Sequence, residues 1–76
     1  LIKTDMYDVI VANINKNILL KDLSKYYKGL RKGGKLLLSG FFTLDNQEIV
    51  DLANTVGLIF VDSKELNKWS LLILSK

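Results

Sequence analysis

The apolar positions of this chain fall into blocks of two alternating kinds. Tyr7 to Asn15, YDVIVANIN, holds the run Val9-Ile10-Val11-Ala12, which has no polar alternation. Such a run predicts a buried parallel strand with helices over both of its faces. It stops abruptly at the polar Asn13. Over residues 18–30 the period changes: Leu19, Leu23, Tyr26 and Leu30 share one helical stripe, with Asn17 as the candidate cap. Gly29 stands near the helix end, and Arg31-Lys32-Gly33-Gly34 reads as an exit turn whose basic residues complement the helix dipole. Lys35 to Gly40 is a second strand apolar on both faces, and Ser39 to Thr43 reads as a loop. Asp45 with Glu48 has the spacing of a capping box, and Leu44 with Ile49 that of a hydrophobic staple. Ile49, Leu52, Ala53 and Val56 then form a core stripe, which Gly57 ends in the left-handed conformation. Leu58 to Val61 and Trp69 to Leu74, separated by the polar stretch Asp62 to Lys68, read as a hairpin.

The predicted order is strand, helix, strand, helix, strand, strand, an α/β class. Parallel strands joined by helices give half of a doubly wound sheet, here closed by an antiparallel hairpin. Ligands of such sheets sit at the carboxyl ends of the strands. Asn13 is therefore a site candidate, although an amide there also serves as a helix cap. Ser39 and Gly40 end the second strand on the same side, as site lining or as a turn. Trp69 opens an antiparallel strand and so shares that rim, as a wall of the site or as an anchor for the hairpin. Phe41 and Phe42 fit core or lid packing. Asp8 has a catalytic side-chain type but stands at the amino end of its strand, where a loop or cap role fits better.

Composition narrows the chemistry. The 76 residues allow one small domain, and 49% of them are hydrophobic, a high share for so small a domain. Lys or Asp interrupts every apolar block before it reaches membrane-spanning length. Leu1-Ile2-Lys3-Thr4 lacks the ordered zones of a signal peptide and does not begin with Met, so the expectation is a soluble, cytoplasmic piece of a longer chain. Cysteine, histidine and proline are absent. That excludes disulfides, Cys/His zinc sites and Ser–His or Cys–His nucleophile pairs within these residues, and no metal is expected. The net charge of +3 is uneven: residues 1–38 hold eight Lys/Arg against three Asp, and 39–76 hold three Lys against five acids. The stripe Lys21, Lys25, Lys28, Lys32 reads as a solvated helix face; as an RNA footprint it lacks interleaved aromatics.

YDVIVANIN, LRKGGKLLLSGF, Gly57-Leu58 and Asn67-Lys68-Trp69, in this order and spacing, resemble the carboxyl-terminal part of the PrmA-type family, which methylates large-subunit ribosomal protein eleven. The resemblance spans nearly all of residues 6–75. It implies a half of the Rossmann-like class I methyltransferase sheet, with residues 1–76 as a single partial domain, the carboxyl-terminal half of the catalytic domain. It implies S-adenosyl-L-methionine as cofactor of the parent protein, a ribosomal protein as partner, and no membrane. It further implies Asn13 as the catalytic residue, Ala12, Asn13 and Ile14 as cofactor-binding, and Ser39, Gly40, Phe41 and Trp69 as substrate-lining. Acceptor oxygens at Asn13 would orient the amine, which must be neutral to attack; a free lysine amine has a pKa of about 10.4. Departures from the family pattern are Ile14-Asn15 for Ile-Leu, Lys32 where Pro is common, and Asn67-Lys68 before Trp69 where acids are frequent. The family's Gly-rich cofactor loop and ribose-binding acid have no counterpart here, so the chain alone is expected to be inactive. Two alternatives stand beside this reading. One is a non-catalytic assembly module that forms a homo-oligomer through a bare strand edge at Tyr7 to Ala12. The other is methyl transfer to RNA or to a small-molecule amine.

Overall fold

A computed structural model describes residues 4–76; Leu1, Ile2 and Lys3, which carry most of the amino-terminal reading, lie outside the described residues. In chain order the elements are β1 (Tyr7–Asn13), α1 (Lys16–Gly29), β2 (Leu30–Phe42), a 3-10 turn (Thr43–Asp45), α2 (Asn46–Val56), β3 (Ile59–Leu66) and β4 (Trp69–Ser75). The strands make one mixed sheet in the order β1-β2-β4-β3. β1 and β2 are parallel, whereas β4 runs antiparallel to both β2 and β3. This is the expected half-sheet with its terminal hairpin.

Side chains alternate between the two faces of a strand, and the register sorts them. Ile10, Leu36 and Leu74 lie in one row and Ala12, Leu38 and Leu72 in the next, all on one face. Leu19 and Leu23 of α1 and Ile49 and Ala53 of α2 pack onto that face to form the core. The opposite face carries Val9, Val11, Leu37, Leu71 and Ile73. Among the described residues no helix covers it: Val9 is 53% and Val11 69% exposed. The expectation of helices on both faces is corrected on this point, because the helices of the described residues pack on the same side of the sheet.

Local corrections follow from where the side chains reach. The cap of α1 is Asn15 rather than Asn17: Asn15 is extended, and its Oδ1 accepts from the Ile18 N–H at 3.1 Å. α1 passes directly into β2 at Leu30, so Gly33-Gly34 lies inside a strand instead of forming the turn before one. Asp45 precedes α2 but makes no capping hydrogen bond, since the 3-10 turn leaves it in the helical region at φ −90°, ψ −6°. A side-chain cap needs an extended residue. The staple is absent too, with Leu44 at 84% exposure on the surface. Gly57 does end α2 in the left-handed region, at φ 107°. β3 runs through most of the polar stretch to Leu66, and Asn67 and Lys68 both have positive φ. Two such residues form the tight turn that joins paired strands.

Candidate active site

β1 and β2 end side by side, with Asn13 paired to Ser39 and the Ile14 N–H donating to the Ser39 carbonyl at 3.2 Å. β4 begins on the other side of β2, where Trp69 pairs with Phe42 and Ser70 with Phe41. The three strand ends thus share one rim. There Asn13, Ser39, Gly40, Trp69 and Ser70 line an open pocket of about 490 Å³.

Gly40 shapes this pocket. It is the extra residue of a bulge between Ser39 and Phe41, and its φ of +97° is a conformation that side-chain-bearing residues rarely adopt. A Cβ at Gly40 would stand 2.6 Å from Asn13 Oδ1 and 2.8 Å from the Ile14 carbonyl oxygen. Two acceptor oxygens therefore converge beside the bare Cα of Gly40. Any larger residue would displace one of them.

The opposite wall is aromatic and hydroxylic. Trp69, half exposed, stacks on Phe42 with ring centroids 4.3 Å apart and planes 29° apart. Ser70 is the buried polar residue of the core; its Oγ donates to Asn46 Oδ1 at 2.7 Å, which ties the pocket floor to the first residue of α2. None of the five lining side chains titrates near neutrality, so the pocket offers acceptors and hydroxyls but no base. In the first turn of α1, the Lys16 ammonium contacts Glu48 and Asp45 at 3.1 and 3.4 Å. The hydrogen bond to Glu48, followed by that to Asp45 and the attraction of both carboxylates, raises its pKa above the ordinary 10.5.

Of the residues named from the sequence, Asn13, Ser39, Gly40 and Trp69 meet in the pocket. Ile14 is not among the lining residues; its carbonyl oxygen lies beside Gly40. Ala12 and Phe41 do not line it: they are 7% and 3% exposed, packed in the core. The bulge at Gly40 turns Phe41 inward and leaves Phe42 outside against Trp69. Asp8 lies at the far end of β1, in an exposed pair with Arg31 at 3.5 Å. Sequence reasoning missed Ser70, and the available signal was a lone hydroxyl breaking the apolar run of β4. Among the described residues no group of three or more acidic, Cys or His residues could hold a metal, and no helix is long and apolar enough to cross a membrane.

Comparisons with known proteins agree on one family. The sequence model for ribosomal protein L11 methyltransferase (PrmA) matches residues 1–76. The ribosomal protein L11 methyltransferase of Porphyromonas gingivalis is 46% identical over 67 residues, covering 88% of this chain and 23% of that protein. That of Bacillus subtilis is 31% identical over 70 residues, covering 92% of this chain and 22% of that protein. The chain thus spans under a quarter of the length of these relatives, within their carboxyl-terminal part. Among solved structures, the ribosomal protein L11 methylase of Lactobacillus delbrueckii subsp. bulgaricus superposes with a TM-score of 0.86 at 25% identity, over 93% of this chain and 37% of that one. The antibiotic-resistance methyltransferase Kmr shares the fold at a TM-score of 0.70 and 12% identity, over 95% of this chain and 51% of that one. The strand-end rim, the terminal hairpin and a family match over the whole sequence lead to one conclusion: the chain belongs to the ribosomal protein L11 methyltransferase (PrmA) family.

Proposed function

We propose that this chain forms the amine-binding side of an S-adenosylmethionine-dependent methyltransferase that acts on large-subunit ribosomal protein L11 in the cytoplasm. The observation that carries the reading is the convergence of Asn13 Oδ1 and the Ile14 carbonyl beside Gly40, where Asn13 and Gly40 line an open pocket at the rim. The names of the relatives support the acceptor.

The donor set suits half of the task. An attacking amine presents N–H donors, and two fixed acceptors can hold them so that the lone pair points away from Asn13 and Ile14. Such orientation converts encounter into near-attack geometry and contributes several orders of magnitude in effective concentration. S-adenosylmethionine, when bound, supplies an electrophilic sulfonium methyl. The residues of this chain that would border it are those at the end of β1: the Ala12 backbone, Asn13 and Ile14. Neither strand-to-helix connection here is glycine-rich, one being Ile14-Asn15 and the other Thr43-Leu44-Asp45. The nucleoside part of the cofactor therefore needs residues beyond these, and the chain alone binds the cofactor weakly and is inactive. The pocket also lacks a base, so the amine arrives neutral or loses its proton to a group elsewhere. Trp69 and Phe42 form a flat apolar wall suited to the methylene stem of a lysine side chain.

The test is to incubate the full-length protein carrying this chain with S-adenosylmethionine and, separately, purified L11 and ribosomal RNA, and to read methyl increments by mass spectrometry. Methylated L11 is expected; transfer to RNA alone, or to neither, contradicts the reading. A second reading has its own observation: β1 stands at one edge of the sheet, with no partner on its outer side among the described residues. Such an edge can pair with a second copy. Sedimentation as a monomer at high concentration would remove that option.

A further inference from the structure

Lys16 and Asp45 each stand against a local preference. It lies in the first turn of α1, where the helix dipole disfavours a cation, and that turn contains no acid. Asp45 stands where a carboxylate would cap α2, yet makes no capping hydrogen bond. Both departures serve a single contact, in which Lys16 Nζ donates to Glu48 Oε1 at 3.1 Å and to Asp45 Oδ1 at 3.4 Å. Local rules broken together, with one compensating interaction, mark a site where the larger arrangement decides.

The contact joins the two connections that build the rim. Lys16 follows Asn13 and the capping Asn15 directly, and Asp45 closes the turn that follows Gly40 and Phe42. At the base of the first connection the Ile14 N–H donates to the carbonyl of Ser39 in β2. Farther out α1 and α2 pack through the core, and the Lys16 ammonium adds the polar contact between the two connections. The Lys16 and Asp45 side chains are 32% and 19% exposed, whereas the nearer partner Glu48 is 56% exposed, so solvent screens the Glu48 contact more than the Asp45 contact.

We propose that Lys16 is a positioning residue: by holding the connection after β1 against the one after β2, it fixes the Asn13 amide beside Gly40. The functional half of this inference rests on the methyl-transfer reading; the mechanical half does not. Lys16 does not touch the amine. It acts through the placement of Asn13 and Ile14, where a small displacement weakens catalysis out of proportion to the energy of the contact.

The experiment uses the full-length protein carrying this chain, with Lys16→Met, Lys16→Arg, and Asp45→Asn combined with Glu48→Gln. Hydrogen exchange reads the tie independently of activity. Lys16→Met is expected to speed exchange of the Ile14 and Ile18 amides about 3- to 10-fold while leaving those of Leu37 and Leu72 unchanged. In the methyl-transfer assay it lowers kcat about 10-fold and changes the KM for S-adenosylmethionine less than about 2-fold. The paired carboxylate variant reproduces both effects, adding Lys16→Met to it gives no further loss, and Lys16→Arg retains wild-type behaviour. Unchanged exchange, or a Lys16→Met defect that the carboxylate variant does not reproduce, overturns the proposal. A wild-type protein that methylates nothing defeats the methyl-transfer reading, and the exchange result then decides the tie alone.

Discussion

Leu37 and Leu38 are neighbours in β2, yet Leu38 is fully buried beneath α1 and α2 while Leu37 is half-buried on a face that no helix of the described residues covers. The same contrast recurs in β1, between Ala12 at 7% exposure and Val11 at 69%. Both faces have strand-like apolar composition, and only one is completed from within the chain. Apolar patterning shows that a face is built for burial. It does not show which part of a protein does the burying. Here α1 and α2 complete one side, and in a protein of the relatives' length the other side is expected to be covered as well.

The sharpest way to break this comparison is to truncate the two leucines separately and follow urea denaturation. Leu38→Ala leaves a cavity in a closed core and should cost about 3 kcal/mol, a large part of the stability of so small a domain. Leu37→Ala in the same chain should cost about 1 kcal/mol or less, and clearly more in a protein whose second face is covered. Equal costs in the 76-residue chain would mean that the two faces do not differ in solution.

Gly40→Ala comes next, because it imposes a side chain on a positive φ and drives a methyl group into Asn13 Oδ1. A loss of about 1–3 kcal/mol is expected, together with reduced methyl transfer by the full-length protein. Wild-type activity in that variant would detach the bulge from the site. Phe42→Ala removes the stacking partner of Trp69 and should cost about 1 kcal/mol, with a change in tryptophan emission as the ring becomes freer. The smallest expected effect is at Leu44, where Leu44→Ser should stay within about 0.5 kcal/mol because the staple that would have buried it does not form.

The Lys16 tie has a pH signature. Its pKa is raised in the folded state above the ordinary 10.5, chiefly by the hydrogen bonds to Glu48 and Asp45. The tie's contribution is therefore fully present below the unfolded-state pKa and is lost as pH rises through the higher folded value. Alkaline titration of stability should show wild type losing its advantage over Lys16→Met above about pH 10.5. An advantage that persists unchanged well beyond lysine's range would contradict the ion pair.

Element types and order were legible because the period of the apolar residues changes cleanly between strands and helices. The stripe Leu19, Leu23 and the Gly57 terminator fall where the pattern puts them. The failures lie where a polar side chain had several possible partners. Asn15 and Asn17 are two residues apart, and only the geometry of the strand end selects Asn15 as the cap. Asp45 carries a capping signature in sequence, but the 3-10 turn leaves its backbone helical, and its carboxylate meets Lys16, 29 residues earlier, instead. The length of β3 was hidden because all eight of its residues are exposed, so no buried face imposed an alternation to read. At the site, Asn13 ends β1 and Trp69 begins β4 at the same rim, and the bulge within β2 brings Ser39 and Gly40 beside them. The inward turn of Phe41 was not legible, because it depends on the bulge at Gly40.

Whether the Asn13 amide orients the amine for methyl transfer, as proposed, is decided by the kcat of Asn13→Ala in the full-length protein carrying this chain, with L11 as acceptor. A loss of about 100-fold or more in kcat is expected with thermal stability nearly unchanged, because the side chain is exposed at the rim and holds no part of the core. Turnover within about 2-fold of wild type would contradict it.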